Sequence, residues 1–361
     1  MSNAVFNFCA GPAMLPKPVM EKSQAELLNW HNLGCSVMEI SHRSKDYIEV
    51  AEQAERDLRQ LMGISEDYAV LFMHGGGRGA FASVPLNLLP VGGSSDHVIT
   101  GSWSKSAVDE HQKFGRVNIA ANQFKVGELR SITPTSDWQL SNEAAYVHYC
   151  PNETVDGVEF NYTPGTDKPL VADMSSCILS RPVDVNKFGL IYAGAQKNIG
   201  PSGLGIVIVR KDLIGQARIE TPSIFDYQKQ LNADSMLNTP PTFAWYQAGL
   251  VFNWLKEQGG VEAIEQVNIK KATALYDFID SNDFYHNPVD KEYRSRMNVP
   301  FYLADETLNQ TFLDESQRAG LLALKGHRSV GGMRASIYNA MPYEGVVKLT
   351  EFMADFVKRY G

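Results

Sequence analysis

The chain has 361 residues, of which 44% are hydrophobic and 20% charged, and its formal net charge is −8. This size and composition predict a globular enzyme with one large and one smaller domain, and an acidic chain without a long basic run is poorly suited to binding nucleic acid. No stretch approaches the ~18 apolar residues of a membrane span, and the N-terminus lacks the pattern of a signal peptide.

Four cysteines, Cys9, Cys35, Cys150 and Cys177, are scattered along the sequence. Their spacing matches neither a disulfide framework nor a zinc site. We therefore expect no bound metal and a reducing compartment. Together with the absence of a leader or membrane span, this predicts a soluble protein of the cytoplasm.

Two helices are predicted in the N-terminal part, at about residues 18–30 and 45–62, the second from the helical spacing of its apolar residues. His42 and Arg43 come just before the second helix. The dipole and free N–H groups of a helix N-terminus suit an anion there. A solvated helix start explains the same two residues equally well.

A glycine-rich loop, residues 75–79, follows a predicted strand at 68–73 and opens a helix at 80–89. Glycines let backbone N–H groups approach a phosphate closely, and the helix N-terminus adds a favourable field. The sequence therefore predicts a phosphate cup that includes Gly77 and Arg78.

The same loop also satisfies the dinucleotide fingerprint G-x-G-x-x-A at Gly75, Gly77 and Ala80. That fingerprint expects an acidic residue at the end of the next strand. Here Asp96 precedes the strand predicted at 98–100, so we favour the phosphate cup over a nicotinamide or flavin site.

Several candidate side chains follow predicted strands directly. Trp103 begins a strand-to-helix turn, Thr154 follows a strand at 146–149, and Asp173 ends a buried strand. Ligands of open α/β sheets bind at the carboxyl ends of strands. A tryptophan at such a turn can stack on a flat ring, although most tryptophans belong to the core.

Lys197 lies between two strand-like segments and is closely flanked by Gly194, Gly200 and Gly203. Burial there would lower the pKa of its amine, as a Schiff-base lysine requires. Spacing alone favours an ordinary surface lysine. Asp173 upstream shifts that balance, because an acid at a strand end can keep the ring nitrogen of pyridoxal phosphate protonated and make the ring an electron sink.

The C-terminal part carries a cluster of cations. Residues 240–241 are Pro-Pro, which predicts an extended loop, and helices at about 245–258 and 261–279 follow. Beyond them, His327, Arg328 and Arg334 gather around a pair of glycines. Guanidinium groups suit bidentate carboxylate and phosphate recognition, so this cluster predicts a dianion pocket.

Four motifs together resemble the phosphoserine aminotransferases, a class V, fold-type-I family that uses pyridoxal 5′-phosphate: residues 74–79 (HGGGRG), 148–154 (HYCPNET), 196–198 (QKN) and 326–328 (GHR). The likeness runs from Asn7 to the last predicted helix. It implies an α/β fold with a mostly parallel central sheet flanked by helices and a smaller α+β C-terminal domain. The implied units are an N-terminal segment near the active site (1–15), a large cofactor-binding domain (16–260) and a small domain (261–361).

The resemblance also implies an activity and roles for individual residues. The reaction would exchange an amino group between L-glutamate and 3-phosphooxypyruvate, giving O-phospho-L-serine and 2-oxoglutarate, with a phosphorylated hydroxythreonine of pyridoxine synthesis as a second substrate. Lys197 and Asp173 would be catalytic. The implied cofactor-binding residues are Gly77, Arg78, Trp103, Thr154, Asp173, Gln196, Lys197, Asn238 and Thr239. The implied substrate-binding residues are His42, Arg43, His327, Arg328 and Arg334.

In the family, the loop that corresponds to Asn238 and Thr239 reaches the cofactor phosphate of the neighbouring subunit, which implies a homodimer with shared active sites. One position departs from the family: Ala10 stands where a small hydroxyl residue is common. Any substrate contact at Ala10 would therefore come from its backbone.

Other fold-type-I activities remain as alternatives. An alanine–glyoxylate type of aminotransferase would share the fold. A cysteine desulfurase would need a catalytic cysteine in the C-terminal half, and none follows Cys177. A non-catalytic pyridoxal-binding protein could dispense with the proton-shuttling lysine, whereas Lys197 is present.

Overall fold

A computed structural model describes residues 5–361. Within them the helices α1–α9 span Lys17–Glu26, Lys45–Met62, Gly76–Leu88, Ser102–His111, Tyr227–Leu231, Thr242–Glu257, Gly260–Asp280, Asn309–Arg318 and Tyr343–Tyr360. The strands β1–β14 span Phe6–Asn7, Tyr68–His74, Ser94–Val98, Arg116–Ala121, Phe124–Val126, Leu129–Ser131, Ala144–Tyr149, Leu170–Asp173, Leu190–Gly194, Leu204–Arg210, Tyr285–His286, Asn298–Leu303, Leu321–Leu322 and Met333–Ser336.

Seven strands form the central sheet in the order β2-β10-β9-β8-β7-β3-β4. Strand β10 runs antiparallel to both of its neighbours, and the remaining pairs are parallel. Strands β2, β9 and β10 are almost wholly buried, and β10 is rich in β-branched residues, as expected when helices cover both faces of a sheet. The predicted α/β fold with a mostly parallel sheet is confirmed.

Three predicted boundaries were wrong. The first helix ends at Glu26, and His31 and Asn32 just beyond it take left-handed φ values of 49° and 65°. Helix α3 begins at Gly76 because Gly75, with φ 86°, caps its start. Asp96 lies inside β3, where it accepts hydrogen bonds from Asn118 and Ser141, so it does not precede that strand.

The C-terminal part has its own apolar core, built by the sheet β11-β12-β14 and helices α7, α8 and α9. Helix α7 belongs to two cores: Val261 and Ile264 pack with the central sheet, whereas Leu275 and Ile279 pack in the C-terminal core. The proposed division between residues 260 and 261 therefore falls at the start of a helix that both cores share.

The N-terminal segment joins the C-terminal core to the central sheet. Strand β1 pairs in parallel with β13, and Phe8 is buried in the C-terminal core. The Ala13 N–H then donates to the Gln196 carbonyl at 2.8 Å. This path brings the segment beside Lys197. No helix among residues 5–361 is long and apolar enough to cross a membrane.

Three histidines, His97, His111 and His148, are fully buried against one face of the sheet. His111 Nδ1 lies 3.2 Å from His97 Nε2, and the ring centroids of His97 and His148 are 5.0 Å apart. Burial, with the mutual repulsion of the rings, holds the pKa of His97 and His111 well below the usual value, and burial lowers the pKa of His148 to about 3. All three rings are therefore neutral at neutral pH.

We expect this histidine cluster to make the fold sensitive to acid. As pH falls below about 6.5, the three histidines become protonated in the unfolded chain but stay neutral in the folded chain. Each histidine therefore lowers the free energy of unfolding by about 1.4 kcal/mol per pH unit. Glu153 acts in the opposite direction: burial raises its pKa to about 7, so between pH 7 and 4.5 it binds a proton in the folded chain but not in the unfolded chain. Three histidines against one glutamate leave a net difference of two protons. Between pH 6 and 5 the free energy of unfolding should therefore fall by ~2.7 kcal/mol per pH unit.

Urea unfolding at pH 7.5, 6 and 5 measures this slope. His97→Gln should flatten this slope by about 1.4 kcal/mol per pH unit, because one buried neutral histidine is removed. Equal unfolding free energies at pH 7.5 and 5 in the unmodified protein would contradict the expectation.

Candidate active site

Lys197 lies in the turn that joins β9 to β10, and it is buried with 7% of its surface exposed. Its Nζ donates a hydrogen bond to Thr154 Oγ1 at 2.6 Å. Burial lowers the pKa of this amine, and the negative charges of Asp173 and Glu153 work against that shift. Lys197 is thus a desolvated amine and not the surface lysine that spacing alone would favour.

Asp173 is the last residue of β8, one strand away from Lys197. Its Oδ1 accepts hydrogen bonds from the Ser175 N–H at 2.9 Å and the Ser175 hydroxyl at 2.5 Å. Burial raises the pKa of this carboxyl, while Ser175 and the charge of Lys197 lower it. The Ser175 hydroxyl in turn accepts from the Gly194 N–H, which ties the ends of β8 and β9 together.

The glycine loop forms the first turn of α3, whose N–H groups have no acceptor within the helix. A side chain at Gly77 would crowd the site, because its Cβ would lie 3.2 Å from Ser175 Oγ. The Gln196 side chain fills the space beside the loop, 3.8 Å from where a Cβ of Gly76 would lie. The result is an open helix N-terminus beside Lys197, which suits an anion.

Trp103 stands over Lys197. The Lys197 Nζ is 5.6 Å from the centre of the indole ring, and the Arg78 guanidinium carbon is 5.5 Å from it on the glycine-loop side. The Trp103 indole N–H is buried and has no hydrogen-bond partner among residues 5–361.

Two carboxylates that the sequence prediction missed hold Trp103 in place. Glu153 accepts hydrogen bonds from the N–H groups of Trp103 and Ser104, at 3.0 and 2.8 Å, and Asp156 accepts from the Ser102 N–H at 2.7 Å. They occupy the N-terminus of α4, so that helix start is closed to another anion. Burial, followed by repulsion from Asp156, raises the pKa of Glu153 to about 7.

Arg334 on β14 faces the same site from the C-terminal core. Its Nη1 donates to the Thr154 carbonyl at 3.4 Å, so Thr154 contacts both Arg334 and Lys197. The Arg334 Nε is buried without a partner, and no ion pair within residues 5–361 includes this arginine. Burial lowers the pKa of its guanidinium. A half-buried cation without an acid favours an anionic ligand.

The other predicted cations lie on exposed or half-exposed turns. His327 Nδ1 contacts the Ser329 hydroxyl at 2.6 Å, and Arg328 beside it is exposed. His42 and Arg43 contact each other at 3.4 Å just before Ser44, which caps α2. None of the hydrogen bonds or ion pairs that the structure gives within residues 5–361 connects these four side chains to Lys197 or Arg334.

Asn238 and Thr239 lie in an exposed loop, as the Pro-Pro pair predicted. The Thr239 carbonyl is 3.2 Å from His74 Nε2, which places the loop beside the entrance to the glycine loop of its own chain. The backbone carbonyl of Ala10 accepts a hydrogen bond from the Tyr338 hydroxyl at 2.8 Å.

A family model for class-V aminotransferases matches residues 5–349. The chain belongs to the class-V aminotransferase family. Among solved structures, it is similar to a phosphoserine aminotransferase studied for radiation damage of its Schiff base, at 48% identity, with 99% of each chain covered and a TM-score of 0.96. The phosphoserine aminotransferase of Bacillus circulans subsp. alkalophilus is 44% identical over 100% of each chain, with a TM-score of 0.97.

A third similar structure is the phosphoserine aminotransferase from Trichomonas vaginalis bound to pyridoxal phosphate. It is 40% identical, covers 97% of this chain and 100% of its own, and has a TM-score of 0.93. Membership of the class-V aminotransferases implies pyridoxal phosphate as cofactor.

The residues of this class-V aminotransferase fit that cofactor. Its phosphate matches the open N-terminus of α3, its ring matches the space between Trp103 and the strand ends, and its pyridine nitrogen requires an acid such as Asp173. The buried Arg334 Nε, which has no partner among residues 5–361, adds a cationic donor on the other side of Thr154. Of the nine residues predicted to bind the cofactor, the contacts above connect Lys197, Thr154, Trp103 and Arg78 directly.

Proposed function

We propose that this protein is a phosphoserine aminotransferase. It would transfer the amino group between L-glutamate and 3-phosphooxypyruvate, giving O-phospho-L-serine and 2-oxoglutarate, with pyridoxal 5′-phosphate as cofactor. The observation that carries the proposal is the meeting of a desolvated lysine, Lys197, and an unpaired arginine, Arg334, on the two sides of Thr154.

Each protein group has a defined task in this proposal. Bound pyridoxal phosphate supplies an electron sink. Lys197 binds the cofactor and moves the proton at the substrate Cα, since its lowered pKa makes the neutral amine accessible. Asp173 holds a proton on the ring nitrogen, Trp103 covers the ring and excludes water, and Arg334 orients the α-carboxylate. The phosphate-binding residues are Gly77, Arg78, Gln196, Asn238 and Thr239.

The overall reaction has a direct test. The purified protein should show a visible absorption band that changes on addition of L-glutamate, and it should form O-phosphoserine from glutamate and 3-phosphooxypyruvate. Alanine as amino donor is the control, because it lacks a distal anion. Faster turnover with alanine and glyoxylate than with the phosphorylated substrate would contradict the proposal.

The distal cations, His42, Arg43, His327 and Arg328, are proposed to hold the phosphate of one substrate and the side-chain carboxylate of the other. The same cluster would accept a phosphorylated hydroxythreonine, so we include the pyridoxine-biosynthesis step in the proposal. The cytoplasmic location and the three structural units remain predictions.

Arg334 and Arg328 should bind different groups of the substrate. Arg334→Ala should weaken glutamate and phosphoserine alike, because they share the α-carboxylate. Arg328→Ala should weaken phosphoserine by on the order of tenfold to a hundredfold, the value of one charge-assisted contact, and should spare alanine. Steady-state KM values for the three amino donors measure this pattern. Unchanged phosphoserine kinetics in Arg328→Ala would remove the distal pocket from the proposal.

We also propose a homodimer in which Asn238 and Thr239 complete the phosphate site of the partner subunit. Their exposure and the family resemblance support this assignment. Mixing inactive Lys197→Ala with an inactive Asn238→Ala/Thr239→Ala variant should then restore activity, since one hybrid site receives two intact halves. At most about a quarter of the sites should recover in a statistical mixture. An inactive mixture that demonstrably contains heterodimers would show that the loop acts within its own chain.

A further inference from the structure

Three buried asparagines, Asn198, Asn268 and Asn339, form what we call the asparagine clasp. Their side-chain amides donate to three consecutive backbone carbonyls in the segment that follows Asp173. The contacts are Asn198 Nδ2 to Ile178 O at 3.1 Å, Asn339 Nδ2 to Leu179 O at 2.8 Å, and Asn268 Nδ2 to Ser180 O at 3.0 Å.

The members of the clasp also bind one another. The Asn268 amide donates to Asn339 Oδ1 at 2.9 Å, and the Asn339 backbone N–H donates to Asn198 Oδ1 at 3.0 Å. No member exposes more than 5% of its surface. The clasp is therefore a connected, water-excluded polar network, which fixes geometry more strictly than apolar packing does.

The backbone of the clasped segment explains why side-chain donors are needed there. Leu179 has a left-handed φ of 59°, so residues 178–180 belong neither to a helix nor to a strand. Their carbonyls lack the partners that regular structure would give, and a buried carbonyl requires a donor. The three asparagine amides supply those donors and hold the strained turn in place.

Each asparagine comes from a different segment of the chain, and two of the three lie close in sequence to active-site residues. Asn198 directly follows Lys197, Asn339 comes shortly after Arg334 on the chain leaving β14, and Asn268 lies in α7, which both cores share. The clasped segment itself follows Asp173. The bond between Asn198 Oδ1 and the Asn339 N–H is thus a direct bridge from the lysine turn to the arginine strand.

We propose that the asparagine clasp sets the spacing between the Lys197 amine and the Arg334 guanidinium, and so determines how well the α-carboxylate of an amino donor is bound. The Lys197 amine and the Arg334 guanidinium both contact Thr154, and the Arg334 contact to the Thr154 carbonyl is long, at 3.4 Å. That contact alone cannot fix the arginine. Asn198 and Asn339 are positioning residues in this inference, which rests on the proposed function.

The test compares Asn198→Ala and Asn339→Ala with Asn87→Ala. Asn87 is an equally buried asparagine in α3, with amide bonds to the Ser83 and Phe225 carbonyls at 2.8 and 2.7 Å and an acceptor bond from the Tyr227 N–H at 2.9 Å. It makes as many hydrogen bonds as a clasp member but touches none of the active-site groups. All three variants should lower Tm by similar amounts.

Only the clasp variants should change substrate binding. We expect KM for glutamate and for phosphoserine to rise together by about tenfold, the value of a weakened charge-assisted contact, with kcat altered much less. Asn87→Ala should keep both KM values. In an Arg334→Ala background, Asn198→Ala should add no further rise in KM, because its effect passes through that arginine.

A second readout needs neither cofactor nor activity. In the apoprotein, Asn198→Ala should accelerate hydrogen exchange at the Asn339 backbone amide, and Asn87→Ala should not. If Asn198→Ala does not fold, Asn268→Ala, which cuts only the α7 arm, should shift KM in the same direction by a smaller factor.

Folded clasp variants with unchanged KM, or a KM rise that persists fully in the Arg334→Ala background, would overturn the inference and leave the proposed function intact. An unmodified protein without glutamate-dependent activity would instead contradict the proposed function. In that case the clasp inference fails as well, whereas the exchange experiment still reports whether Asn198 protects the Asn339 amide.

Discussion

Replacing Lys197 by alanine should abolish transamination while leaving the fold intact. The lysine is expected to supply both the bond to the cofactor and the proton transfer at the substrate Cα, and general acid–base catalysis alone contributes about 10²–10⁴-fold. The fold should survive because, within residues 5–361, the side chain makes a single hydrogen bond, the one to Thr154 Oγ1. Single-turnover and steady-state rates with glutamate measure the effect.

Two further lysine variants sharpen this experiment. Lys197→Arg keeps a cation in the same place but cannot lose its proton at neutral pH, so it should be as inactive as the alanine variant. Lys105→Ala, an exposed lysine on α4, should be fully active. The Lys197 variants should still bind pyridoxal phosphate through the N-terminus of α3. Near-normal glutamate-dependent turnover in Lys197→Ala would eliminate this assignment.

The burial of Lys197 and the position of Asp173 at a strand end could be predicted because both follow from local order along the chain. Asp173 and Lys197 each come directly after a buried apolar run, and parallel strands bring such ends to one edge of the sheet. The glycine loop was recognisable for the same reason. Only its boundary was wrong, because Gly75 caps α3 and makes the loop part of the helix.

The support around the centre could not be predicted in this way. Glu153 and Asp156 cap α4 from about fifty residues away in sequence, at Trp103 and Ser102. No local pattern pairs a helix start with a distant carboxylate, although an acid in the turn after a buried strand was a usable signal for Glu153. The asparagines of the clasp are farther apart still, with 71 positions from Asn268 to Asn339 and 141 from Asn198 to Asn339.

The distal cations differ from both groups, because within residues 5–361 they make no direct contact with the residues around Lys197. His42, Arg43 and Arg328 lie on turns whose sequence suits an anion, and the structure keeps them accessible without bringing them to Lys197 by direct contact. A ligand or a second subunit would complete such a pocket. Their role therefore remains a proposal that the substrate comparison tests.

Asp173→Asn should lower kcat far more than it changes substrate affinity. Asparagine can keep the hydrogen bonds from Ser175 to Oδ1, so the turn after β8 should stay in place while the negative charge is lost. Without Asp173, the protonated ring nitrogen would be an unpaired buried charge, which costs about 3–5 kcal/mol. Alternatively, the ring nitrogen would lose its proton. Either way, the expected loss is roughly two to four decades in kcat.

A matched control is available in Asp96, another fully buried aspartate that accepts two hydrogen bonds, from Asn118 Nδ2 and the Ser141 N–H, both at 2.8 Å. Asp96→Asn should lower the free energy of unfolding without changing kcat, because Asp96 lies within β3 and makes no contact with Lys197 or Trp103. Parallel kcat losses in the two variants would mean that burial of a carboxylate, and not its position at the end of β8, matters. An unchanged kcat in Asp173→Asn would contradict the proposed role of Asp173 at the ring nitrogen.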